Sequence, residues 1–215
     1  MHVGLIIDGV RRWSRREGVD LTEGYRRALT GVHDIVRQLF DSGVHSVSLY
    51  LLSRDNLQRT ADDLRAVFDA TVDFLSTDMV ALGREFDIEF VLAGDKTAVP
   101  DRYREAIEGL TSPPRSSSAA RRLYLLVAYS PAEELADRWE PGLTTMDLLV
   151  PKLWVPERVD LVIRTGGAAL LSDFLPLQCG YARIWWTPAS IVELTWEDIR
   201  EEVSFTMASE ALRGR

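Results

Sequence analysis

Cysteine is almost missing from this 215-residue chain. Cys179 stands alone, which excludes an internal disulfide and a structural zinc cluster. No apolar run approaches the roughly 18 residues of a membrane span, so none is expected. Net positive charge is also absent: the balance is −8, which argues against a general nucleic-acid binder. Lysine is scarce, since 23 of the 25 basic residues are arginine. That bias reads either as anion binding or as codon usage. No internal repeat or low-complexity tract stands out. The start, Met1-His2-Val3-Gly4, is too short and uncharged for a secretory signal, and the expected compartment is the cytoplasm. An apolar content of 46% and nine prolines fit one globular domain over residues 1–215.

Apolar runs alternate with helical spacing along the chain. Strands are predicted at Val3 to Ile7, Val44 to Leu52, Ile88 to Leu92, Leu123 to Ala128, Val159 to Ile163 and Ala182 to Trp186. The first long helix carries Tyr25, Ala28, Leu29, Val32, Ile35, Val36, Leu39 and Phe40 on one face, with Thr22 as N-cap and Gly43 as stop. A second is expected over 61–82, presenting Leu64, Val67, Phe68, Thr71, Leu75 and Met79, a stripe that is either core or the wall of a hydrocarbon pocket. Shorter helices are expected near 101–110 and from Leu170 to Gly180. Ser112 to Ser118 reads as an internal loop, and Thr195-Trp196-Glu197-Asp198 has capping-box spacing for a last helix. Trp185-Trp186 reads as core or interface. Such alternation predicts an α/β fold: a mostly parallel six-stranded sheet flanked by helices.

Two strand ends carry the chemistry. Ile6-Ile7-Asp8-Gly9-Val10-Arg11-Arg12-Trp13 and Asp160-Leu161-Val162-Ile163-Arg164-Thr165-Gly166-Gly167 both stop at a glycine-bearing, charged loop. In an open parallel sheet, loops at the carboxyl ends of strands line the ligand crevice. Glycine permits close backbone approach to an anion, arginine offers a forked cation, and Asp8 is a hard ligand for a magnesium ion that already holds a diphosphate. The structural alternatives are a turn-capping aspartate and a tight strand-to-helix turn. Arg11, Arg12, Arg15 and Arg16 crowd one turn, and of these Arg12 is the preferred ligand. The glycines after Arg164 predict a backbone concavity for an oxyanion, with Ser172 adding a hydroxyl. Ser53, Asn56 and Arg59 form a further polar cluster, which reads either as a site or as a loop capping the helix near Ala61.

These pieces resemble the cis-prenyltransferase family, typified by undecaprenyl diphosphate synthase. The first motif, usually Asp-Gly-Asn-Gly-Arg-Trp-Ala, appears as Asp8-Gly9-Val10-Arg11-Arg12-Trp13-Ser14. The second, Ser-x-x-Asn-Trp-x-Arg-Pro after a strand, appears as Ser53-Arg54-Asp55-Asn56-Leu57-Gln58-Arg59-Thr60. The third, Asp-Leu-x-Ile-Arg-Thr-Gly-Gly followed by Ser-Asn-Phe-Leu, appears as Asp160 to Gly167 with Ser172-Asp173-Phe174-Leu175. The resemblance implies a homodimer, a Mg2+-dependent reaction and allylic diphosphate substrates. It also implies roles. Asp8 assists departure of diphosphate with the metal, Ser53 and Asn56 assist condensation and proton removal, and Arg164 and Ser172 hold the acceptor diphosphate. Gly9, Arg11, Arg12, Trp13, Tyr25, Arg59, Gly166 and Gly167 complete the substrate contacts.

Departures from the pattern are informative. Val10 replaces an asparagine, Leu21 an arginine, Tyr25 a histidine, Leu57 a tryptophan, Thr60 a proline and Leu170 a second acceptor-site arginine. Arg183 stands where a glutamate reaching across the dimer normally helps hold magnesium, and is expected to bind diphosphate directly. The Arg-Arg-Trp-Ser continuation resembles short bacterial members that perform irregular, sometimes cyclising, couplings, such as cyclolavandulyl diphosphate synthase. The expected substrates are C5 to C15 allylic diphosphates. Conventional coupling to isopentenyl diphosphate, terpene synthesis on this fold and a non-catalytic partner subunit remain the alternatives. A trans-type enzyme is excluded because Asp62-Asp63-Leu64-Arg65-Ala66 lacks the third carboxylate of Asp-Asp-x-x-Asp.

Overall fold

A computed structural model describes residues 1–111 and 121–213. The loop predicted at Ser112 to Ser118 lies outside the described residues. Among those described, six strands form one all-parallel sheet: β1 (His2–Ile6), β2 (Ser46–Ser53), β3 (Ile88–Gly94), β4 (Arg121–Tyr129), β5 (Leu161–Arg164) and β6 (Arg183–Trp186), in the order β3-β4-β2-β1-β5-β6. Every residue of β1 is buried, the mark of a central strand covered on both faces. β1 pairs with β2 on one side and β5 on the other, so Ile6 sits beside both Tyr50 and Arg164. This adjacency brings the two distant motifs together.

The helices are α1 (Val10–Glu17), α2 (Leu21–Asp41), α3 (Ala61–Ser76), α4 (Asp78–Phe86), α5 (Asp101–Thr111), α6 (Pro131–Arg138), α7 (Met146–Leu149) and α8 (Trp196–Arg213). The apolar face read for the first long helix is the buried face of α2, from Ala28 to Phe40. Its N-cap is Asp20, not Thr22, because the Asp20 carboxylate accepts from the Glu23 N–H at 3.0 Å. Gly24 lets α1 lie against α2: a Cβ there would meet Ser14 Oγ at 1.9 Å.

Three sequence expectations change. The pattern over 61–82 is two helices, broken at Thr77, whose hydroxyl donates to the Asp73 carbonyl at 2.6 Å instead of capping the next turn. The segment Leu170 to Gly180 is not a helix. It turns through positive φ at Ser172 (49°), Asp173 (62°) and Leu175 (41°), which helical geometry forbids. The short helices α6 and α7 were not foreseen. Pro131 at the start of α6 and the Ser130 cap, which accepts the Glu133 N–H, were the available signals. The carboxylate half of the capping box forms: the Thr195 N–H and hydroxyl both donate to Asp198 Oδ2, at 2.9 and 2.8 Å.

Candidate active site

A cavity of about 660 Å3 opens at the carboxyl ends of β1, β2 and β5. Its mouth carries Asp8, Arg11, Arg12, Arg15, Ser53, Asp55, Asn56, Arg59, Arg164, Ser172 and Asp173. The same cavity is also lined by the apolar side chains of Ile6, Ile7, Val10, Ala28, Leu29, Leu51 and Val67, with Tyr25, Tyr50 and Thr71. A charged rim over a greasy wall suits an amphiphile with an anionic head.

The first motif is bent into place by a left-handed glycine. Gly9 (φ 93°) ends the β1 turn and opens α1 without a side-chain cap, and α1 has no acidic residue in its first turn. The free N–H groups and positive dipole end of α1 therefore meet the cavity together with Arg11 and Arg12. The third motif crosses it closely. A Cβ on Gly166 (φ 82°) would come within 2.7 Å of the Gly9 nitrogen, and one on Gly9 within 3.1 Å of the Gly166 Cα. Thr165 staples the crossing: its hydroxyl donates to the Asp8 carbonyl at 2.8 Å and accepts the Asp8 N–H at 2.9 Å. Gly166 and Gly167 are thus needed for backbone proximity. Their N–H groups donate to the Ala189 and Thr187 carbonyls at 2.7 and 2.8 Å, so the oxyanion concavity expected there does not form.

Arg164 is the hub. It is 6% exposed, and Nη2 lies 3.2 Å from Asp8 Oδ2 while Nη1 donates to Ser172 Oγ at 2.9 Å and to the Leu170 carbonyl. Its Nε is buried with no hydrogen-bond partner, a donor that an anion would satisfy. The other Asp8 oxygen accepts the Gly9 N–H at 2.6 Å and lies 3.8 Å from Arg12 Nη2, which also donates to the Gly166 carbonyl.

Across the cavity, Asn56 Nδ2 donates to Ser53 Oγ at 2.5 Å, and the Asn56 N–H reaches the same oxygen at 3.1 Å. Arg59 Nη1 donates to the Tyr25 hydroxyl at 3.3 Å. Burial pushes the Tyr25 hydroxyl up, against the pull of Arg59 and Arg11. It stays neutral where a histidine would titrate near pH 7. The loop also caps α3, since Thr60 Oγ1 accepts the Asp63 N–H, as the capping reading of this segment expects.

Four predicted contacts do not line the cavity, Gly166 among them, because it packs behind Gly9 and Asp8. Trp13 is buried beneath α1, with the Arg27 guanidinium 5.8 Å from its ring. Gly167 backs onto Pro188. Arg183 begins β6, in register with Leu161 at the amino end of the sheet, opposite the end that carries Arg164. Its Nε bonds Glu202 at 2.5 Å and its guanidinium covers Phe205 at 4.4 Å, so within one chain it does not bind at the cavity.

Residues 6–209 match the family described as putative undecaprenyl diphosphate synthase. The chain belongs to the undecaprenyl diphosphate synthase family. Its relatives include the (2Z,6E)-farnesyl diphosphate synthase of Mycolicibacterium smegmatis, 30% identical over 211 residues that cover 87% of this chain and 78% of that protein. Isoprenyl transferase 2 of Streptomyces coelicolor is 29% identical over 219 residues, covering 93% and 82%. Among solved structures, lavandulyl diphosphate synthase from Lavandula x intermedia, in complex with dimethylallyl diphosphate, shares the fold with a TM-score of 0.83 at 24% identity, covering 95% and 94% of the two chains.

The protein is therefore a prenyl-group transferase, and the resemblance in its three motifs reflects common descent. Among the charged and aromatic cavity residues, Arg15, Tyr50, Asp55 and Asp173 were not among the expected contacts. Arg15 was detectable, because it lies three and four residues beyond Arg12 and Arg11 and shares their helical face. Among the described residues it has no ion-pair partner. Leu170 is 66% exposed and its carbonyl accepts from Arg164. Asp8 is the one carboxylate that both first-motif and third-motif cations address, and no group of three or more metal-ligating side chains exists among the described residues. That donor set fits a magnesium ion arriving with a diphosphate, which needs only one or two protein carboxylates.

Proposed function

We propose that this chain is a short-chain prenyl diphosphate synthase of the cytoplasm, one domain over its whole length, condensing C5 to C15 allylic diphosphates. The observation that carries this reading is the convergence of Asp8 and Arg164 on one cavity with an arginine rim and an apolar wall. On this reading Arg12, Arg59 and the N-terminus of α1 hold the leaving diphosphate, and charge that develops there as the allylic C1–O bond breaks is stabilised by groups already in place. Arg164 and Ser172 hold the second diphosphate, so that its double bond faces C1. Ser53 and Asn56, which line the same cavity, would assist the proton that must leave the new product. Asp8 would hold Mg2+, which when bound neutralises diphosphate charge. The apolar wall excludes water from the allylic cation.

The finer reading is irregular head-to-middle coupling, supported by the loss of cations at Leu21, Tyr25 and Leu170 and by the Arg-Arg-Trp-Ser sequence. Regular coupling to isopentenyl diphosphate is the second reading, favoured by the names of the relatives that are (2Z,6E)-farnesyl diphosphate synthases. Product mass spectrometry decides. The protein is incubated with dimethylallyl, geranyl or farnesyl diphosphate, with and without isopentenyl diphosphate. Product from dimethylallyl diphosphate alone supports irregular coupling, product only with isopentenyl diphosphate supports regular coupling, and long polyprenyl chains would refute the short-chain assignment.

A homodimer fits the exposed apolar surface at the sheet edge. Ile184, Trp186 and Phe205 are each about half exposed, and the stacking of Arg183 on Phe205 sets β6 and α8 side by side. A second copy covering this edge would bury Arg183 at the interface.

A further inference from the structure

Tyr50 has no role in the scheme above, yet its phenol lies where the two halves of the site meet. It stands on β2 three residues before Ser53 and lines the cavity. Its hydroxyl donates to the Ser172 carbonyl at 3.0 Å. Ser53, Asp55, Asp173 and Arg164 line the same cavity beside it. The ring is fixed as well. Phe174 packs at 5.4 Å and Tyr129 meets it edge-on at 6.3 Å, while the Tyr129 hydroxyl donates at 2.6 Å to the fully buried carboxylate of Glu134.

The group it holds is under strain. Ser172 and Asp173 have φ of 49° and 62°, a conformation that residues with a Cβ resist. Such strain persists only where surrounding contacts over-determine it. Arg164 supplies two of these contacts, to the Leu170 carbonyl and to Ser172 Oγ. Tyr50 supplies the one that comes from the β2 half.

We propose that Tyr50 is a positioning residue for the second diphosphate: its hydroxyl fixes the Ser172 peptide, which keeps Ser172 Oγ and Arg164 aimed at the anion and ties their placement to β2. This rests on Arg164 and Ser172 being the acceptor-diphosphate ligands.

The test uses the full-length protein and Tyr50→Phe. Steady-state kinetics should show the acceptor KM raised about tenfold, as for the loss of one hydrogen bond that orders a binding group. The donor KM should stay within about twofold and kcat within about threefold, a split that general loosening would not give. Hydrogen exchange should quicken across residues 171–176, with the melting temperature near that of the wild type. An unchanged acceptor KM, or an equal rise in both KM values, overturns the proposal. Should the wild type form no product, the functional reading fails first. The exchange experiment then decides whether Tyr50 orders the Ser172 peptide, and unchanged exchange across 171–176 refutes it. Tyr50→His covers a Phe variant that does not fold, with the same one-sided rise in acceptor KM expected and the same results overturning the proposal.

Discussion

Replacing Arg164 by Met separates what the site does for binding from what it does for folding. The side chain is 7% exposed and bonds Asp8, Ser172 and the Leu170 carbonyl. Charge-assisted bonds of this kind are worth about 1.5–3 kcal/mol each when dry. Two observations shrink the total. Asp8 is 40% exposed, so water replaces its lost partner and the pair contributes about 0–1 kcal/mol. Arg164 Nε is buried with no partner, a cost of about 1–3 kcal/mol that Met removes. Loss of a donor at Ser172 and Leu170 works the other way, at about 1 kcal/mol each. The urea unfolding free energy of Arg164→Met should therefore fall within about 2 kcal/mol of wild type. Turnover should not be spared, because Arg164 would hold the acceptor diphosphate through charge-assisted bonds worth about 1.5–3 kcal/mol each, and losing two of them lowers kcat/KM by about 100-fold or more. The expected outcome is a folded protein whose kcat/KM for prenyl transfer is at least about 100-fold lower. Activity within tenfold of wild type would refute the assignment, and a stability loss above about 5 kcal/mol would show Arg164 to be mainly a structural pin.

Asp8→Ala should abolish product formation while the protein stays folded, and near-normal turnover would remove Asp8 from the mechanism. Gly166→Ala should lower unfolding stability by about 3 kcal/mol, since the new methyl meets the Gly9 nitrogen at 2.7 Å and φ is 82°. A melting curve unchanged from wild type would contradict the crossing-loop account. His2 is 1% exposed, bonds Ser48 through Nε2, and has its pKa lowered by burial in spite of nearby Glu157 and Asp160. The unfolded chain takes up that proton first, so stability present above pH 6.5 is lost as pH falls below it towards the folded-state value. Thermal melts between pH 7.5 and 5 should show this slope, and His2→Gln should flatten it.

The strands were legible because a parallel sheet buried on both faces demands near-continuous apolar runs, and Val3 to Ile7, Leu123 to Ala128 and Val159 to Ile163 all predict the right elements to within a few residues. The loops were less so. Leu170 to Gly180 has helix-like composition, but Arg164, Tyr50 and the Phe174 ring hold it in a turn, and those contacts come from β5, β2 and the segment itself. Asp8 and Arg164 were legible as strand-end residues. The purpose of the glycines beside them was not, because a close crossing and an anion cradle call for the same residue. Only the third dimension shows that the Gly166 and Gly167 N–H groups already have carbonyl partners. Arg183 illustrates the opposite limit. The motif resemblance sets it against a metal-site position, yet one chain alone places it beside Glu202 and Phe205 at the far end of the sheet.

That placement of Arg183 bears on the metal. The cavity rim holds five guanidinium groups (Arg11, Arg12, Arg15, Arg59 and Arg164) against three carboxylates (Asp8, Asp55 and Asp173), an excess of two positive charges. Arg11 is already answered by Asp63 at 3.0 Å outside the rim, which lowers the excess further. Each diphosphate is a polyanion, so two of them bring more negative charge than the protein offers. Had Arg183 reached the rim, a metal-independent enzyme would follow naturally. With Arg183 bonded to Glu202 within one chain, we propose that a divalent cation entering with the substrate supplies the missing charge, and Asp8 is the carboxylate placed to meet it. Product formation should therefore stop in excess EDTA and return on adding Mg2+. Asp8→Ala should show no such recovery at any Mg2+ concentration. Full turnover of the wild type in EDTA would mean that cations from a second copy complete the site, and Arg183→Ala would then be the variant that loses activity.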